Sequence, residues 1–250
     1  MTTDEQPVRA EDPPPLRERT AAIQKSIETG DRLPLSYFDS RRYIQHNLAL
    51  GDGFGALLEF LDALPRGSSR VRPVRTFQDG DISFAHLEYF LAPLGEVVGF
   101  EVHRWEEGRI VEHWDNLQPL AGPEMLDGAV ERGDPARTGA TKQAVEAFVR
   151  TALLGQSPQR RVAAGYVEHH PAAEPGRPWW FSAADLEYTT LHRVLGEGDF
   201  GLTMAEGHLA GEHTAFYDLF RVENGLIAEH WDVLERIPPR EQWRNDNGKF

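Results

Sequence analysis

Apolar residues recur at helical spacing in three segments of the chain. Leucine, threonine and isoleucine share one face over 16–27, and this segment is followed by Gly30, a residue type that commonly ends helices. Phenylalanine and leucine residues share a face over 54–64, and apolar pairs recur every four residues over 144–153 before Gly155. The pattern predicts a helix at the start of each half of the chain and another over 54–64, with a less regular counterpart around 179–195.

The remaining segments of each half have the composition of β-strands. Four stretches of the first half are rich in β-branched and aromatic residues: RVRPVRTFQ, DISFAHLEYFLA, EVVGFEVHRW and RIVEHWDNLQ. Turn sequences separate them, and the second half repeats such turns as GEGD, HLAGEH and VENG. Helices followed by an antiparallel meander predict an α+β fold in which a curved antiparallel sheet wraps around N-terminal helices. Such a cone encloses a pocket between sheet and helix.

The chain repeats itself. Residues 98–115 (VGFEVHRWEEGRIVEHWD) match residues 215–232 (AFYDLFRVENGLIAEHWD) at eight of eighteen positions without a gap. Upstream, YIQHN at 43–47 corresponds to YVEHH at 166–170, and we expect each Tyr-x-x-His element to end a short helix-like segment. Self-similarity over most of the chain predicts duplicated domains.

The domain boundaries follow from composition. We predict a flexible tail over 1–15, a first domain over 16–120, a linker rich in proline, glycine and charge over 121–138, and a second domain over 139–250. The two sheets are expected to pack on each other as an intramolecular pseudo-dimer, and a further homodimer stays open.

Composition narrows the classes of partner. The 250 residues include 40 acidic and 26 basic ones, so the net charge is −14 and nucleic acid is not an expected partner. No apolar stretch approaches eighteen residues and no secretory signal pattern is present, so we expect no membrane partner and a cytoplasmic location. The absence of cysteine excludes disulfides, thiolate nucleophiles and cysteine metal ligands.

Alternation along the predicted strands brings titratable side chains to one face. In the second half, one face of 213–222 holds an acid in an apolar row: Phe216, Asp218 and Phe220. The next strand presents, on one face, His230, Asp232 and Leu234. The first half offers Glu101 with His103, and His113 with Asp115. A carboxyl group among phenylalanine side chains should have a raised pKa and could act as a general acid or as a donor to an oxyanion.

Structural interpretations of these residues stay open beside the functional ones. An Asp near a strand end often caps a turn, and a neighbouring His is often a structural residue. Trp114 and Trp231 are expected to pack behind the sheet. His46 and His169 each lie three residues after a Tyr. They could be pocket acids or bases, or loop caps. No pair of His residues has the i, i+4 helical spacing of a zinc site, and we expect no metal.

The motifs YIQHN, GDG and FYDLFRVENGLIAEHWDV resemble those of the SnoaL-like family. This family belongs to the cystatin-like cone superfamily, together with nuclear transport factor 2, scytalone dehydratase and ketosteroid isomerase. The resemblance covers both halves, roughly 16–120 and 139–250. Named SnoaL-like members close polyketide rings by intramolecular aldol chemistry without metal or cofactor, whereas others bind ligands with no known turnover. The resemblance therefore implies that no cofactor is needed.

Some residues of ketosteroid isomerase have counterparts in this chain. The isomerase pattern D-V-M-R-F supplies a protonated oxyanion-hole Asp, and it matches Asp218-Leu-Phe-Arg-Val, with Glu101 at that place in the first half. The isomerase base is a carboxylate that follows its second helix, where this chain has His169-His170 and His46-Asn47. A His with an ordinary pKa near 6.5 could replace that base.

Together these observations predict a cofactor-independent acid–base enzyme of the cyclase, isomerase or lyase type. Its substrate would be a small hydrophobic carbonyl compound such as a polyketide-like ketone. The alternative is a non-catalytic module of the same fold that binds a small molecule or another protein. The predicted catalytic residues are Asp218, His169, His230 and Asp232. The predicted ligand-binding residues are Tyr166, Phe216, Phe220, Leu234, His46, Glu101, His103, His113 and Asp115. The second domain is expected to be the active one, because Asp218 lies in the drier row.

Overall fold

The chain folds as two tandem α+β domains, each with a five-stranded sheet and helices packed against it. A computed structural model describes residues 13–65, 67–92, 94–155, 161–174 and 176–250. The α+β pseudo-dimer predicted from the sequence is confirmed. Residues 1–12 of the predicted tail lie outside the described residues.

The elements of the first domain are α1 (Leu16–Thr29), β1 (Ile44–Gln45), α2 (Gly53–Ala63), β2 (Arg70–Asp79), β3 (Ile82–Leu91), β4 (Gly95–Glu106) and β5 (Arg109–Pro119). Those of the second are α3 (Thr138–Phe148), β6 (Val162–Glu168), β7 (Leu186–Glu197), β8 (Phe200–Leu209), β9 (Glu212–Glu223) and β10 (Leu226–Arg236). A π-helical segment, Val149–Leu153, extends α3. The strand orders are β1-β5-β4-β3-β2 and β6-β10-β9-β8-β7, so the two sheets have the same topology.

Two expectations about local structure are wrong. The Tyr-x-x-His elements do not end helices. Each element overlaps a short strand, β1 or β6, and its His follows that strand directly. These strands pair in parallel with β5 and β10, so the sheets are mixed rather than purely antiparallel. Main-chain hydrogen bonds fix this pairing, because the His46 N–H donates to the His113 carbonyl and the His169 N–H donates to the His230 carbonyl, each at 3.0 Å.

The helix suggested for 179–195 is also not formed. A short 3₁₀ turn over Trp179–Phe181 is followed directly by β7, which begins at Leu186. Strand pairing with β8 outcompetes the helical pattern there, because the β-branched and aromatic residues of this segment suit a sheet. Within the described residues, α2 therefore has no counterpart in the second domain.

The backs of the two sheets pack on each other around the tryptophans of the repeated Glu-His-Trp-Asp sequence. Each Trp lies between a His of its own domain and an Arg of the other, in the sets His169–Trp231–Arg75 and His46–Trp114–Arg193. The His–Trp ring centroids are 4.5 and 4.9 Å apart, and the guanidinium carbons lie 4.2 and 4.3 Å from the Trp ring centroids. Stacking and cation–π attraction thus add to the burial of both indoles. The expected packing of Trp114 and Trp231 behind the sheet is confirmed.

The segment predicted as a linker packs against this interface. Met125 and Leu126 are buried in the core between the sheets. The Asp127 carbonyl accepts a hydrogen bond from the Trp231 indole N–H at 2.8 Å. The segment therefore covers one edge of the domain interface as well as joining the domains. No described helix combines the length and apolar character needed to cross a bilayer.

Candidate active site

Strand register gathers the predicted titratable residues into one cluster in each domain. The paired positions are Glu101 with Asp115, His103 with His113, Asp218 with Asp232, and Phe220 with His230. Because these side chains face away from the packed sheet backs, each cluster lies on the concave side of its sheet. The predicted grouping of the His and Asp of each tetrapeptide on the pocket side is confirmed.

The first domain contains a cavity of about 710 Å³ in front of its cluster. This volume lies within the range of small-molecule sites. Apolar residues of α1 and α2, among them Ile23, Leu57 and Leu61, form one wall, and Glu101 and His103 line the opposite one. No residue of α2 is fully buried although the helix is rich in leucine and phenylalanine. Its apolar face packs in part against the core around Phe38 and in part lines the cavity.

Glu101 and His113 form a buried ion pair beside this cavity. The Glu101 Oε2 lies 2.6 Å from the His113 Nε2, and the His113 Nδ1 lies 3.0 Å from the Gln45 Oε1. Gln45 is fixed in orientation, because its Oε1 accepts from the Asn47 main-chain N–H and its Nε2 donates to the Tyr43 hydroxyl. The His113 Nδ1 must therefore carry a proton. Burial opposes the charge of His113, but the hydrogen bond and charge of Glu101 outweigh it and raise the pKa of His113.

Two tyrosines bring hydroxyl groups to the same wall. The Tyr89 hydroxyl lies 2.8 Å from both the Gln24 Oε1 and the Glu101 Oε1. Burial, followed by the charge of Glu101, raises the pKa of Tyr89 well above its ordinary value. The Tyr43 hydroxyl accepts from Gln45 at 3.0 Å, and its own proton has no acceptor among the described residues. Tyr43 lines the cavity and can donate that proton to a ligand.

His103 brings an imidazole without a described hydrogen bond to the cavity wall. It is 1% exposed, and its ring stacks on His113 with centroids 4.7 Å apart and an interplanar angle of 16°. Its buried Nδ1 has no hydrogen-bond partner within the described part of the chain. Burial lowers the pKa of His103 well below its ordinary value, and the positive charge of His113 lowers it further. His103 is therefore a neutral imidazole at the cavity wall.

The second domain supplies part of the first domain's cavity. The Asp115 Oδ2 accepts from the Asn47 side-chain amide at 2.7 Å. The Lys249 ammonium donates to the Asp115 carbonyl at 2.8 Å and lies 2.9 Å from the Glu235 Oε1 and 3.8 Å from the Asp115 Oδ1. Asp115 and Glu235 both line the cavity. Buried Lys249 thus neutralises acids of both domains at this wall.

We expect Lys249→Met to lower the free energy of unfolding by about 1–3 kcal/mol, because two acids lose their common cation in a buried setting. Urea unfolding followed by far-UV circular dichroism measures this loss. Arg177→Met is the matched control, because its ion pair with Glu174 is exposed and should contribute less than about 1 kcal/mol. Equal losses in the two variants would contradict the role assigned to Lys249.

The corresponding cluster of the second domain is closed. Asp218 and His230 are both 0% exposed. The His230 Nδ1 lies 2.7 Å from the Glu168 Oε1, and the His230 Nε2 lies 3.0 Å from the Asp218 Oδ1. The Tyr188 hydroxyl donates to Asp218 at 3.1 Å. Burial raises the pKa of Asp218 against the opposing effect of His230, so the raised pKa expected from the apolar row is confirmed.

Aromatic side chains fill the space in front of this cluster. The Trp180 ring lies 4.2 Å from the His230 ring and 6.0 Å from the Phe220 ring, centroid to centroid. His113 and His103, the counterparts of these two residues, line the first domain's cavity. Trp179 stacks on His170 at 4.2 Å. Within the described residues, the cavity in front of a cluster thus lies in the first domain, whereas the second domain, expected to be the active one, has the Trp179–Trp180 pair packed against its cluster.

The other predicted ligand contacts of the second domain pack against the protein itself. Phe216, Phe220 and Tyr166 are buried in one core, with Leu234 half-buried against it. The Tyr166 hydroxyl donates to Glu168. Asp232 accepts from His170 at 2.9 Å. Phe216 and Phe220 are fully buried in this packing, and a binding role for these side chains stays a prediction.

His46 and His169 lie on the other side of the sheets, at the domain interface. The His169 Nε2 lies 3.2 Å from the Glu229 Oε2, and its Nδ1 lies 2.9 Å from the Glu124 carbonyl. His46 is held in the same way by Glu112 and the Gly248 carbonyl. The expected grouping of His169 with Asp218, and of His46 with Glu101, is therefore not formed.

Alternation explains this difference. The residue directly after β1 or β6 continues the alternation of the strand. The His therefore points to the domain interface, and the residues before and after it point to the side of the sheet that carries the cluster. These neighbours are Gln45 and Asn47 in the first domain, and Glu168 and His170 in the second. Sequence reasoning missed Gln45 and Glu168 because it interprets the Tyr-x-x-His element as helical. A strand assignment would have found them.

In the described part of the chain, two sets of side chains bring metal-ligating atoms within 4.8 Å of one another: Glu101, His103 and His113, and Asp218, His230 and Asp232. Their carboxylate and imidazole groups are ligand types that Zn²⁺ accepts. However, the 2.6 Å between the Glu101 Oε2 and the His113 Nε2 is a hydrogen-bond distance. Two ligands of one tetrahedral Zn²⁺ stand roughly 3.3 Å apart. The first set as it stands fits a shared proton better than a metal ion.

Neither a protein-family model nor a curated protein matches the chain. Among solved structures it is similar to an NTF2-like protein of unknown function from Mesorhizobium loti, at 21% identity over 43% of this chain and 97% of that one, with a TM-score of 0.35. It is also similar to wild-type IdmH from Streptomyces antibioticus, described as a candidate polyketide cyclase, at 18% identity over 40% of this chain and 90% of that one, with a TM-score of 0.32. A candidate ketosteroid isomerase from Kribbella flavida has 16% identity over 46% of this chain and 90% of its own, with a TM-score of 0.33. The solved structures similar to this chain thus include NTF2-like proteins and candidate cyclases and isomerases, each covering less than half of it.

Proposed function

We propose that the first domain binds a small, largely apolar carbonyl compound in its cavity and catalyses acid–base chemistry on it without a cofactor. The observation that carries this proposal is the His103 imidazole in the polar wall of an otherwise apolar cavity of about 710 Å³, with an Nδ1 that has no hydrogen-bond partner among the described residues. An apolar cavity with a few convergent polar groups is the usual form of a small-molecule site.

His103 serves as the general base in this proposal. Its lowered pKa keeps it unprotonated at neutral pH, so it can accept a proton from the carbon next to the substrate carbonyl. The C–H electron pair moves into the enolate, whose oxygen accepts a hydrogen bond from the free Tyr43 hydroxyl proton. The new His103 imidazolium is stabilised by the enolate charge that forms together with it.

The buried pair of Glu101 and His113 positions this base. His113 stacks on His103 and is itself held by Gln45 and Glu101, so the ring of the base has a fixed support. Return of the proton to another carbon completes an isomerisation. In a ring closure, the enolate carbon instead attacks a second carbonyl of the same molecule, and the alkoxide that forms takes the proton from His103. Both outcomes use the same first step.

The proposal is tested by α-proton exchange. Two- and three-ring ketones, including 2-acetylnaphthalene and 1-tetralone, are incubated with the protein in D₂O, and loss of the α-proton signal is followed by ¹H NMR. Leu57→Trp places an indole into the cavity from α2 and should weaken ketone binding at least about tenfold. Glu59→Trp is the matched control, because Glu59 is an exposed residue of the same helix. Exchange that is absent, or equal in the two variants, would contradict catalysis in this cavity. Binding without exchange would support the ligand-binding alternative.

A further inference from the structure

Among the described residues, the cavity of the first domain is lined by an arginine that no acid neutralises. The acids of its lining are Glu101, Asp115 and Glu235, and each faces a cationic partner, either His113 or Lys249. Arg244 also lines the cavity, and it makes no ion pair within the described residues. Its place in the lining means that a ligand bound in the cavity can present an anionic group to this guanidinium without displacing a protein carboxylate.

The main chain at Arg244 is fixed to the cavity rim. The Arg244 N–H donates to the Leu48 carbonyl at 2.9 Å. The buried Asn245 side chain donates to the Asn47 and Leu50 carbonyls at 2.8 and 3.0 Å. The segment that follows the second domain's last strand is thereby anchored to the loop after β1. The main chain at the arginine is therefore in place before any ligand arrives, so binding does not have to order this segment.

Exposure gives the cavity a direction. His103 and Glu101 are 1% and 5% exposed, whereas Arg244 and Gln242 are exposed residues of the lining. The buried end therefore holds the acid–base groups, and the solvent-exposed end holds the arginine. A ligand that spans the cavity would meet the imidazole at one end and the guanidinium at the other.

We propose that the ligand of this cavity carries a carboxylate in addition to its carbonyl group, and that Arg244 binds this carboxylate. This inference rests on the proposed function and specifies its substrate class as an apolar keto acid. The planar guanidinium can bind a carboxylate with two parallel hydrogen bonds, an arrangement that lysine cannot reproduce. Arg244 would thus determine specificity without taking part in the proton transfer.

The test compares two ligands that differ only in the carboxylate, 6-acetyl-2-naphthoic acid and 2-acetylnaphthalene. Dissociation constants are measured by calorimetry for the wild type, Arg244→Gln, Arg244→Lys and the remote control Arg177→Gln. We expect the wild type and the control to bind the acid about tenfold more tightly than the ketone. Arg244→Gln should remove this preference and leave the ketone affinity within about twofold, whereas Arg244→Lys should keep part of it. The glutamine variant retains the main-chain N–H that contacts Leu48, so the rim stays in place.

Equal affinity of the wild type for both compounds would overturn the inference while leaving the proposed function intact. The inference is also overturned if Arg244→Gln weakens the binding of both ligands equally, because the residue would then support the structure of the cavity rather than bind the carboxylate. If the wild type binds neither compound, the proposed function fails and this inference fails with it. The preference for the acid should also fall with added salt, since the contact is exposed and ionic.

Discussion

Replacing His103 by phenylalanine is expected to lower the rate of ketone α-proton exchange by about 10²- to 10⁴-fold, the range that a general base contributes. The second domain carries Phe220 at the equivalent position, so the sheet tolerates this side chain. The His103 Nδ1 has no hydrogen-bond partner among the described residues, so phenylalanine breaks no hydrogen bond there. The ring of His103 packs on His113. Fold and ketone affinity should therefore persist while the proton acceptor is lost.

The pH profile distinguishes a base from a structural residue. Because burial lowers the pKa of His103, its neutral form should persist below pH 6.5, and the wild-type exchange rate should fall only in more acidic solution. The residual exchange rate of His103→Phe should not show this fall in acidic solution. His208→Phe is the matched control, since His208 is an exposed residue of the second domain. Exchange within about threefold of wild type in His103→Phe, with unchanged ketone affinity, would contradict the assignment.

Much of the fold could be predicted because it depends on local periodicity and on the repeat. The match of 98–115 with 215–232 required two similar domains, and alternation placed Trp114 and Trp231 on the face opposite the acids. Register could then be inferred as well, since a slip of one residue would have moved the tryptophans into the pocket. The parallel edge strands β1 and β6 were missed because a pair of two to seven residues has too little pattern to reveal its partner.

The location of the open cavity could not be predicted, because it depends on how tertiary packing uses volume. Asp218 in its apolar row looked like the drier and therefore the more active acid. It is dry because Trp180 and Phe220 fill the space in front of it, and the same dryness excludes a ligand. At the cluster itself the two sequences differ in His103, which takes the place of Phe220. A histidine in an apolar strand face is costly unless it contacts a partner or a ligand.

The two domains therefore differ in what each contributes. The first keeps a cavity with a free imidazole, whereas the second fills its own interior and supplies Glu235, Arg244 and Lys249 to its neighbour. In a symmetric dimer of identical chains both cavities would be lined alike. Duplication within one chain allows one domain to bind and the other to complete its rim. The closed cluster of the second domain then contributes to stability, and its contribution to the free energy of unfolding can be measured.

Replacing His230 by alanine is expected to destabilise the second domain by about 3–5 kcal/mol, the loss seen when one partner of a buried ion pair is removed. His230 lies between Glu168 and Asp218, all with fully buried side chains, so its removal leaves two carboxylates without their cation. In the first domain Gln45 occupies the position of Glu168, so His113→Ala leaves only Glu101 uncompensated and should cost less. Urea unfolding followed by tryptophan fluorescence measures both losses.

The pH dependence of stability provides the decisive comparison for His230. Burial acts against its charge, but Glu168 and Asp218 outweigh burial and raise the pKa of His230 to about 10. A folded-state pKa above the unfolded value near 6.5 means that the stabilisation is complete below pH 6.5 and is lost as the pH rises through about 10. The wild type should therefore lose stability over this interval, and His230→Ala should lose much less. Adding Glu168→Gln to His230→Ala should recover part of the stability, because one of the two uncompensated charges is gone. An equal cost for His230→Ala and His113→Ala, together with the same pH dependence in wild type and His230→Ala, would show that this cluster is not held by its imidazolium.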